Sequence, residues 1–129
     1  MSGSLPQVLV VDDDAIALDV AVRMLSKLGV QAFSALDGAS ALKISRQKPL
    51  DLVFLDWELP DLSGIEVAKI LRSTLGGELP IVGLSGYSFD EKEMGSDSTL
   101  FSAHLLKPVS LSDFEKLLRE FSLDIKRLP

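Results

Sequence analysis

The sequence contains no cysteine, which excludes a disulfide framework, a thiolate metal site and a cysteine nucleophile. Histidine occurs once, as His104, so any metal site is expected to use oxygen ligands. No glycine-rich phosphate loop follows the first predicted strand, which argues against a nucleotide-binding fold. No apolar run is long enough to cross a bilayer, and residues 1–4 lack the form of a signal peptide. We therefore expect a cytoplasmic protein with no membrane partner.

Basic residues are in the minority, because 13 Lys and Arg stand against 19 Asp and Glu and the formal net charge is −6. Nucleic acid is therefore not expected as a direct ligand, since phosphate binding needs a basic face. The length of 129 residues and the apolar content of 47% predict one globular domain. We assign residues 7–122 to this domain, residues 1–6 to a flexible N-terminus or cloning remnant, and residues 123–129 to a C-terminal tail.

Strand and helix patterns alternate five times along the chain. Short apolar runs predict strands at residues 7–11, 30–34, 52–55 and 80–84, and a fifth within 100–106. Helices are predicted at residues 15–28 and 39–47, after Ser63-Gly64, weakly at 89–98, and near the end of the chain, where Ser112 and Glu115 offer a capping box. This alternation is typical of a doubly wound parallel α/β sheet with helices on both faces.

Residues with useful chemistry follow four of the predicted strands: Asp12 and Asp13, then Asp56, Ser85 and Lys107. If the first and third strands are neighbours, their acids share one pocket, because paired strands lie about 5 Å apart. Two carboxylates at about 4 Å repel by roughly 4 kcal/mol at an effective dielectric constant of about 20. Three acids beside one lysine therefore need a bound cation or shared protons, and oxygen ligands favour Mg²⁺.

A carboxylate beside Mg²⁺ can act as a nucleophile and accept a phosphoryl group, while a lysine neutralises charge and a hydroxyl binds a phosphoryl oxygen. Each residue also has an ordinary explanation. An aspartate after a strand is usually a helix cap or turn former, Ser85 before Gly86 forms a turn, and Lys107-Pro108 marks a loop. The order of these residue types at four strand ends favours the chemical interpretation.

The chain resembles the receiver domains of two-component response regulators. The matching residues are Val10-Val11-Asp12-Asp13, Leu55-Asp56 with Leu59-Pro60 and Gly64, Leu84-Ser85-Gly86, and Leu106-Lys107-Pro108. The resemblance covers residues 7–121, and residues 84–87 and 101–109 are similar to the receiver modules of hybrid sensor kinases. It implies a flavodoxin-like, five-stranded sheet in the order 2-1-3-4-5, as in the chemotaxis regulators.

The resemblance also implies the roles of the site residues. It makes Asp56 the phosphoacceptor and Asp13 a direct Mg²⁺ ligand, with Asp12 holding a metal-bound water. The backbone carbonyl of Glu58 would complete the metal site. The implied phosphoryl donor is a histidine kinase or a histidine-phosphotransfer domain, and in a hybrid kinase the kinase core would be part of the same chain.

Two further site residues carry roles implied by the resemblance. Ser85 would bind the phosphoryl group, and Lys107 would pair with it ahead of a cis bond to Pro108.

His104 stands three residues before the lysine, where many receivers carry a switch Tyr or Phe. A free imidazole titrates at about pH 6.5. We therefore expect signal coupling to rely less on a buried aromatic ring here; the ordinary alternative is a partly exposed histidine on the last strand.

Two positions flank the path of the hydrolytic water in the family, and Glu58 and Tyr87 occupy them here. We expect these residues to set the lifetime of the phosphoryl group; the alternative is that both are plain surface residues.

The weakly helical residues 90–99 would lie on the signalling face, and we expect phosphorylation to order them.

Three function classes remain open from the sequence. The first is a signalling module that is no enzyme, since it catalyses only its own phosphorylation and dephosphorylation. The second is a haloacid-dehalogenase-like phosphatase, which also uses a strand-end aspartate and Mg²⁺. It is disfavoured because Glu58 replaces the second aspartate of its Asp-x-Asp motif and no room exists for a cap domain. The third is a pseudo-receiver that only binds partners, disfavoured because the acids, Ser85 and Lys107 are all present.

Overall fold

The computed structural model describes residues 5–86 and 99–128. Within these residues strands and helices follow one another in the predicted rhythm. The strands are β1 (Gln7–Val11), β2 (Gln31–Ala35), β3 (Leu52–Asp56), β4 (Ile81–Ser85) and β5 (Ala103–Leu106). The helices are α1 (Ala15–Lys27), α2 (Gly38–Gln47), α3 (Gly64–Leu75) and α4 (Leu111–Glu120). The weak helix predicted at residues 89–98 lies outside the described residues.

The five strands form one parallel sheet in the order β2-β1-β3-β4-β5, which confirms the predicted order. In register, Val11 of β1 lies beside Leu55 of β3, and Asp56 lies beside Leu84 of β4. Every residue of β3 is buried, as expected for the central strand of a sheet covered on both faces. The carboxyl ends of β1, β3, β4 and β5 therefore meet along one edge of the sheet.

Two apolar cores cover the two faces of the sheet. Alternate residues of each strand enter different cores, because successive side chains of a strand point to opposite faces. Val8 and Val10 of β1 pack with residues of α1 and α4, and Phe54 of β3 meets Phe114 of α4 edge to face at 4.9 Å. Leu9 and Val11 pack with residues of α2 and α3 on the other face. The predicted arrangement of helices on both faces is confirmed.

The start of α4 differs from the sequence prediction. The helix is capped by Ser110, whose side chain accepts the Asp113 N–H, and Asp113 bonds back to the Ser110 N–H. The predicted capping box of Ser112 and Glu115 is therefore wrong. Both pairs fit the Ser-x-x-acid pattern, but with Ser110 as the cap, Val109 packs in the same apolar cluster as Phe114, one turn into the helix.

The segment after α4 packs against the end of α1. The Lys126 N–H donates to the Leu28 carbonyl at 3.0 Å, and the Leu128 N–H donates to the Lys27 carbonyl at 2.7 Å. Ile125 is buried and joins the core that α1 and α4 share. Residues 123–128 are thus in contact with the body of the domain. In the part of the chain that the structure describes, no helix has the length and apolarity needed to span a membrane.

Candidate functional site

The three consecutive aspartates after β1 divide their roles. Asp14 caps α1, since its side chain accepts the Ile16 N–H at 3.0 Å and the Ala17 N–H at 3.3 Å. Asp12 is buried and accepts the Asp14 N–H at 2.9 Å, whereas Asp13 is exposed. The ordinary explanation, helix capping, therefore holds for one residue of the triplet. The other two remain available for the site.

Asp56, the last residue of β3, is a buried carboxylate with 6% of its surface exposed. One carboxylate oxygen accepts the Glu58 N–H at 3.0 Å, and the other accepts the Lys107 ammonium at 2.6 Å. The strand end fixes the backbone here, because the Trp57 N–H donates to the Leu84 carbonyl at 3.1 Å. Gly64 packs so closely beneath it that a Cβ there would lie 2.5 Å from the Asp56 carbonyl oxygen. The acid at the centre of the site is therefore held rigidly.

Lys107 reaches this acid from the end of β5. Its ammonium lies 2.8 Å from an Asp12 carboxylate oxygen as well as 2.6 Å from Asp56. The backbone of Lys107 is fixed by donation of its N–H to the Ser85 carbonyl at 2.8 Å, and its bond to Pro108 is cis, as the resemblance to receiver domains implied. One cation thus bridges the acids at the ends of β1 and β3, which are neighbouring strands in the sheet.

Burial and pairing act on the protonation of this cluster. Burial raises the pKa of Asp56 above its ordinary value, although the hydrogen bonds from Lys107 and the Glu58 N–H offset part of that rise. Burial alone would lower the pKa of Lys107, but its hydrogen bonds to Asp12 and Asp56 outweigh that effect and the net shift is upward. Lys107 is therefore a cation at neutral pH. The ionised form of Asp56 is less favourable in this buried site than it would be in water.

A metal ion fits the acid cluster. Asp12, Asp13 and Asp56 each offer a carboxylate oxygen, and these oxygens lie within 4.8 Å of one another. Three carboxylates contribute a formal charge of −3 and Lys107 contributes +1, so the cluster carries −2 in total (−3 + 1 = −2). A divalent cation would cancel this charge, and the all-oxygen donor set suits a hard ion. The cluster can therefore hold a divalent metal.

The other predicted site residues are placed as follows. Ser85 ends β4, where its register partner on β5 is Leu106, so it lies on the same sheet edge as Asp56. Glu58 is exposed two residues beyond the acid, in the loop before α3. Tyr87 lies outside the described residues. The structure thus brings Asp12, Asp13, Asp56 and Lys107 into contact distance and places Ser85 and Glu58 beside them.

His104 lies in β5 within an aromatic cluster. Its ring centroid is 5.9 Å from that of Trp57 and 5.4 Å from that of Phe101, and Trp57 and Phe101 stack at 5.6 Å. Gly83 makes room for the cluster, because a Cβ there would lie 2.6 Å from the Trp57 Nε1 and 2.9 Å from the His104 Cδ2. His104 is therefore partly buried against other rings. Its role as a switch stays a prediction.

Two positioning residues had no signal in the sequence. Asp61, in the loop after Asp56, accepts the N–H groups of Gly38 and Ala39 at 2.8 and 2.9 Å, so it caps a helix more than twenty residues away in the chain. Arg72 of α3 donates to the carbonyls of Leu79 and Leu100, which connects α3 to the segments that precede β4 and β5. A lone acid or arginine in a helix–loop region looks the same in sequence whether it is solvated or paired at long range.

Comparisons with known proteins match this chain over most of its length and match its fold. The profile of the response regulator receiver domain matches residues 8–119. The autoinducer 1 sensor kinase/phosphatase LuxN of Vibrio campbellii is 30% identical over 113 residues, which are 88% of this chain and 13% of that protein. The chain therefore spans only a small part of that relative's length. This match confirms the predicted similarity to receivers of hybrid sensor kinases.

Solved structures agree with the sequence match. A CheY-like response regulator receiver domain from Methylobacillus flagellatus has a TM-score of 0.82 and 31% identity, and the alignment covers 92% of this chain and 100% of that one. The response regulator protein TrrA of Thermotoga maritima, solved in complex with Mg(2+)-BeF, has a TM-score of 0.80 and 26% identity over 91% of this chain and 99% of that one. The chain belongs to the response regulator receiver domain family.

Proposed function

We propose that this domain takes a phosphoryl group from a phosphohistidine onto Asp56, and that the donor is a histidine kinase or a histidine-phosphotransfer domain. The observation that carries the proposal is the buried Asp56 carboxylate 2.6 Å from Lys107, inside a cluster with Asp12 and Asp13. The donor's kinase core is either a separate protein or a part of the same polypeptide, as in the sensor kinase relative.

The transfer step balances on the groups of the site. An oxygen of Asp56 attacks phosphorus, the P–N bond of the phosphohistidine breaks, and the imidazole leaves with the electron pair and takes a proton from solvent. The product is an acyl phosphate on Asp56. Lys107 then pairs with the added negative charge, and the Ser85 hydroxyl at the end of β4 donates to a phosphoryl oxygen. The contribution of these residues is positioning and charge neutralisation.

Mg²⁺ is the cation that we assign to the acid cluster. Asp13 and Asp56 would bind it directly, Asp12 would hold a coordinated water, and the Glu58 carbonyl would complete the set. The ion supplies neutralisation of the phosphoryl oxygens during transfer. The formal charge of −2 left after Lys107 is counted supports a divalent ion, and the Thermotoga maritima relative in its Mg(2+)-BeF complex supports the choice of metal.

The domain turns over no outside substrate in this proposal, so it is not an enzyme in the usual sense. Loss of the phosphoryl group is the reverse half of its cycle, in which water attacks phosphorus and Asp56 is regenerated. Glu58 and Tyr87 are proposed to control the access of that water, and therefore the lifetime of the phosphorylated state. Replacing Glu58 with Asn and Tyr87 with Ala tests this role, since an unchanged dephosphorylation rate would remove it.

Incubation with acetyl phosphate and Mg²⁺, followed by intact mass measurement, tests the main proposal. The expected result is the added mass of one phosphoryl group in the wild type and no addition in Asp56→Ala. A parallel titration with beryllofluoride and Mg²⁺, which mimic the phosphorylated state, separates an inactive small donor from an absent site. A wild type that neither gains the phosphoryl mass nor binds beryllofluoride would overturn the proposed function.

A further inference from the structure

The loop between β3 and α3 is attached to the first turn of α2 through Asp61. The Asp61 carboxylate accepts the Gly38 N–H at 2.8 Å and the Ala39 N–H at 2.9 Å. Asp37, the N-cap of α2, accepts the Ser40 N–H at 2.7 Å. The first three N–H groups of the helix, which have no intrahelical partner, are thus all satisfied. Two of them depend on a residue from another element.

The same loop contains Glu58, whose backbone carbonyl is a proposed ligand of the cation. It starts at Asp56, whose carboxylate accepts the Glu58 N–H at 3.0 Å, and it ends at Gly64, whose N–H donates to the Trp57 carbonyl at 2.9 Å. The two ends of the loop are therefore tied to each other under the acid. Asp61 ties the middle of the loop to α2.

A second contact fixes the same part of the loop against α2. A Cβ at Gly38 would lie 3.0 Å from both the Cβ and the Cδ1 of Leu62, so the helix backbone and the loop side chain are in close contact. The Leu62 N–H also donates to the Asp61 carboxylate at 2.8 Å. The negative charge of Asp61 sits where the helix dipole favours it. The first turn of α2 is therefore a fixed support for this loop.

We infer that Asp61 is a positioning residue of the phosphoacceptor site: by binding the first turn of α2, it holds the loop so that the Glu58 carbonyl stays in place for the cation. The inference rests on the proposed function. Mg²⁺ requires near-ideal octahedral geometry, so a displaced carbonyl ligand costs affinity directly. Asp61 itself does not contact the cation or the phosphoryl group; it acts through the loop.

The test compares Asp61→Ala with Asp37→Ala. Both substitutions remove a carboxylate that accepts N–H groups from the first turn of α2, but only Asp61 belongs to the loop. Urea unfolding measures the loss of stability of each variant. Magnesium titrations, followed by the emission of Trp57 and by the rise in melting temperature, measure cation affinity. Trp57 is the one tryptophan of the chain and lies next to Asp56.

We expect Asp61→Ala to weaken Mg²⁺ binding by about tenfold, as is typical when a group that orients a metal ligand is removed, while Asp37→Ala shifts it by less than about twofold. Asp61→Asn keeps one acceptor oxygen, so it should fall between the wild type and Asp61→Ala. It also preserves the test if Asp61→Ala does not fold. The rate of phosphorylation by acetyl phosphate at low Mg²⁺ should fall in the same order.

Equal Mg²⁺ affinity in the Asp61 variants and the wild type would overturn the inference, and so would equal losses in Asp61→Ala and Asp37→Ala. The second outcome would mean that capping of α2 matters only for stability. Failure of the proposed function looks different, because then the wild type itself would bind no Mg²⁺ and accept no phosphoryl group. The two failures are therefore distinguished by the wild-type measurement.

Discussion

Lys107 contacts two carboxylates, Asp12 and Asp56, and this shared contact governs the charge balance of the site. The pKa of Asp56 is raised by burial, so the folded state binds its proton more tightly than the unfolded state does. Folding stability therefore decreases as the pH rises through the range between the unfolded and folded pKa values and this carboxyl ionises. Without a metal ion, the clustered carboxylates repel one another. A bound cation, or a neutral side chain in place of Asp56, would reduce this repulsion.

Replacing Asp56 with Asn should stabilise the metal-free protein. The substitution removes one of three clustered negative charges, and Lys107 keeps its Asp12 partner at 2.8 Å. We expect a gain on the order of 1 kcal/mol in the free energy of unfolding with EDTA present, measured in urea. Added Mg²⁺ should stabilise the wild type more than the variant, because a ligand that binds only the folded state adds to stability. Lower stability of Asp56→Asn in EDTA would contradict this account.

The site residues illustrate what sequence alone can and cannot predict. Asp12, Asp56 and Lys107 were predictable because each of them lies at the carboxyl end of a strand. Parallel strands bring these ends together along one edge of the sheet. Asp61 was not predictable, since its partners Gly38 and Ala39 are 23 and 22 residues away. Their meeting depends on how a loop and a helix pack above the sheet. No local pattern records that distance.

At the scale of elements, α1 presents an apolar surface beside the site. Ile16 is 78% exposed and Val20 is 43% exposed. A cavity of about 430 Å³ runs between α1 and the end of β5 and is lined by Ala17, Val20, Pro108 and Val109 together with Asp12 and Lys107. We expect the protein donor of the proposed function to contact this apolar face, since exposed apolar patches mark sites of interaction.

Ile16→Asp should slow phosphotransfer from a protein donor but not from acetyl phosphate. Acetyl phosphate is too small to form an interface with α1, whereas a protein interface loses about 1 to 2 kcal/mol when a central apolar contact is removed, which is roughly tenfold in transfer efficiency. The assay uses a histidine-phosphotransfer domain that phosphorylates the wild type. Leu75→Asp is the control, since Leu75 is 42% exposed at the C-terminal end of α3. Equal slowing with both donors would show damage to the site instead.

The beginning of α4 gives a direct test of the corrected cap. Ser110→Ala removes the bond to the Asp113 N–H at 3.1 Å and should cost about 1 kcal/mol of unfolding free energy. Ser112→Ala is the matched control, because Ser112 is an exposed residue inside the helix and should change stability by less than about 0.5 kcal/mol. Urea unfolding of both variants decides between the two serines. A larger loss in Ser112→Ala would restore the original prediction.

Element boundaries were predictable to within one or two residues, but the choice between adjacent caps was not. The sequence offers Ser110 with Asp113 and Ser112 with Glu115, and both satisfy the same local rule. The decision came from packing, since Val109 and Phe114 enter one apolar cluster. The order of the strands was implied by the resemblance to receiver domains, and the alternation of strands and helices by periodicity alone.

At the scale of the whole molecule, residues 123–128 connect α4 to the far end of α1. Arg127 pairs with Glu115 of α4 at 2.9 Å, and the hydrogen bond from Arg127 lowers the pKa of the Glu115 carboxyl. A depressed folded pKa gives stability that is present above the unfolded value and is lost as the pH falls through the folded value. Arg127→Ala should therefore lower the melting temperature slightly at neutral pH. The difference from the wild type should disappear in acid, and a difference that persists there would contradict the ion-pair explanation.

Ile125 makes this segment a part of the fold, because it is 8% exposed and lies in the core shared by α1 and α4. Gly29 allows the close approach, since a Cβ there would lie 2.9 Å from the Lys126 carbonyl oxygen. Ile125→Ala should cost about 2 to 4 kcal/mol of unfolding free energy, the usual loss for a buried branched side chain. Leu128→Ala is the control, as Leu128 is 51% exposed and should cost less than about 0.5 kcal/mol. Equal and small losses in urea unfolding would mean that the segment only lies on the surface. A large loss confined to Ile125→Ala would mean that the packing of α1, which carries the proposed donor surface, depends on residues beyond α4.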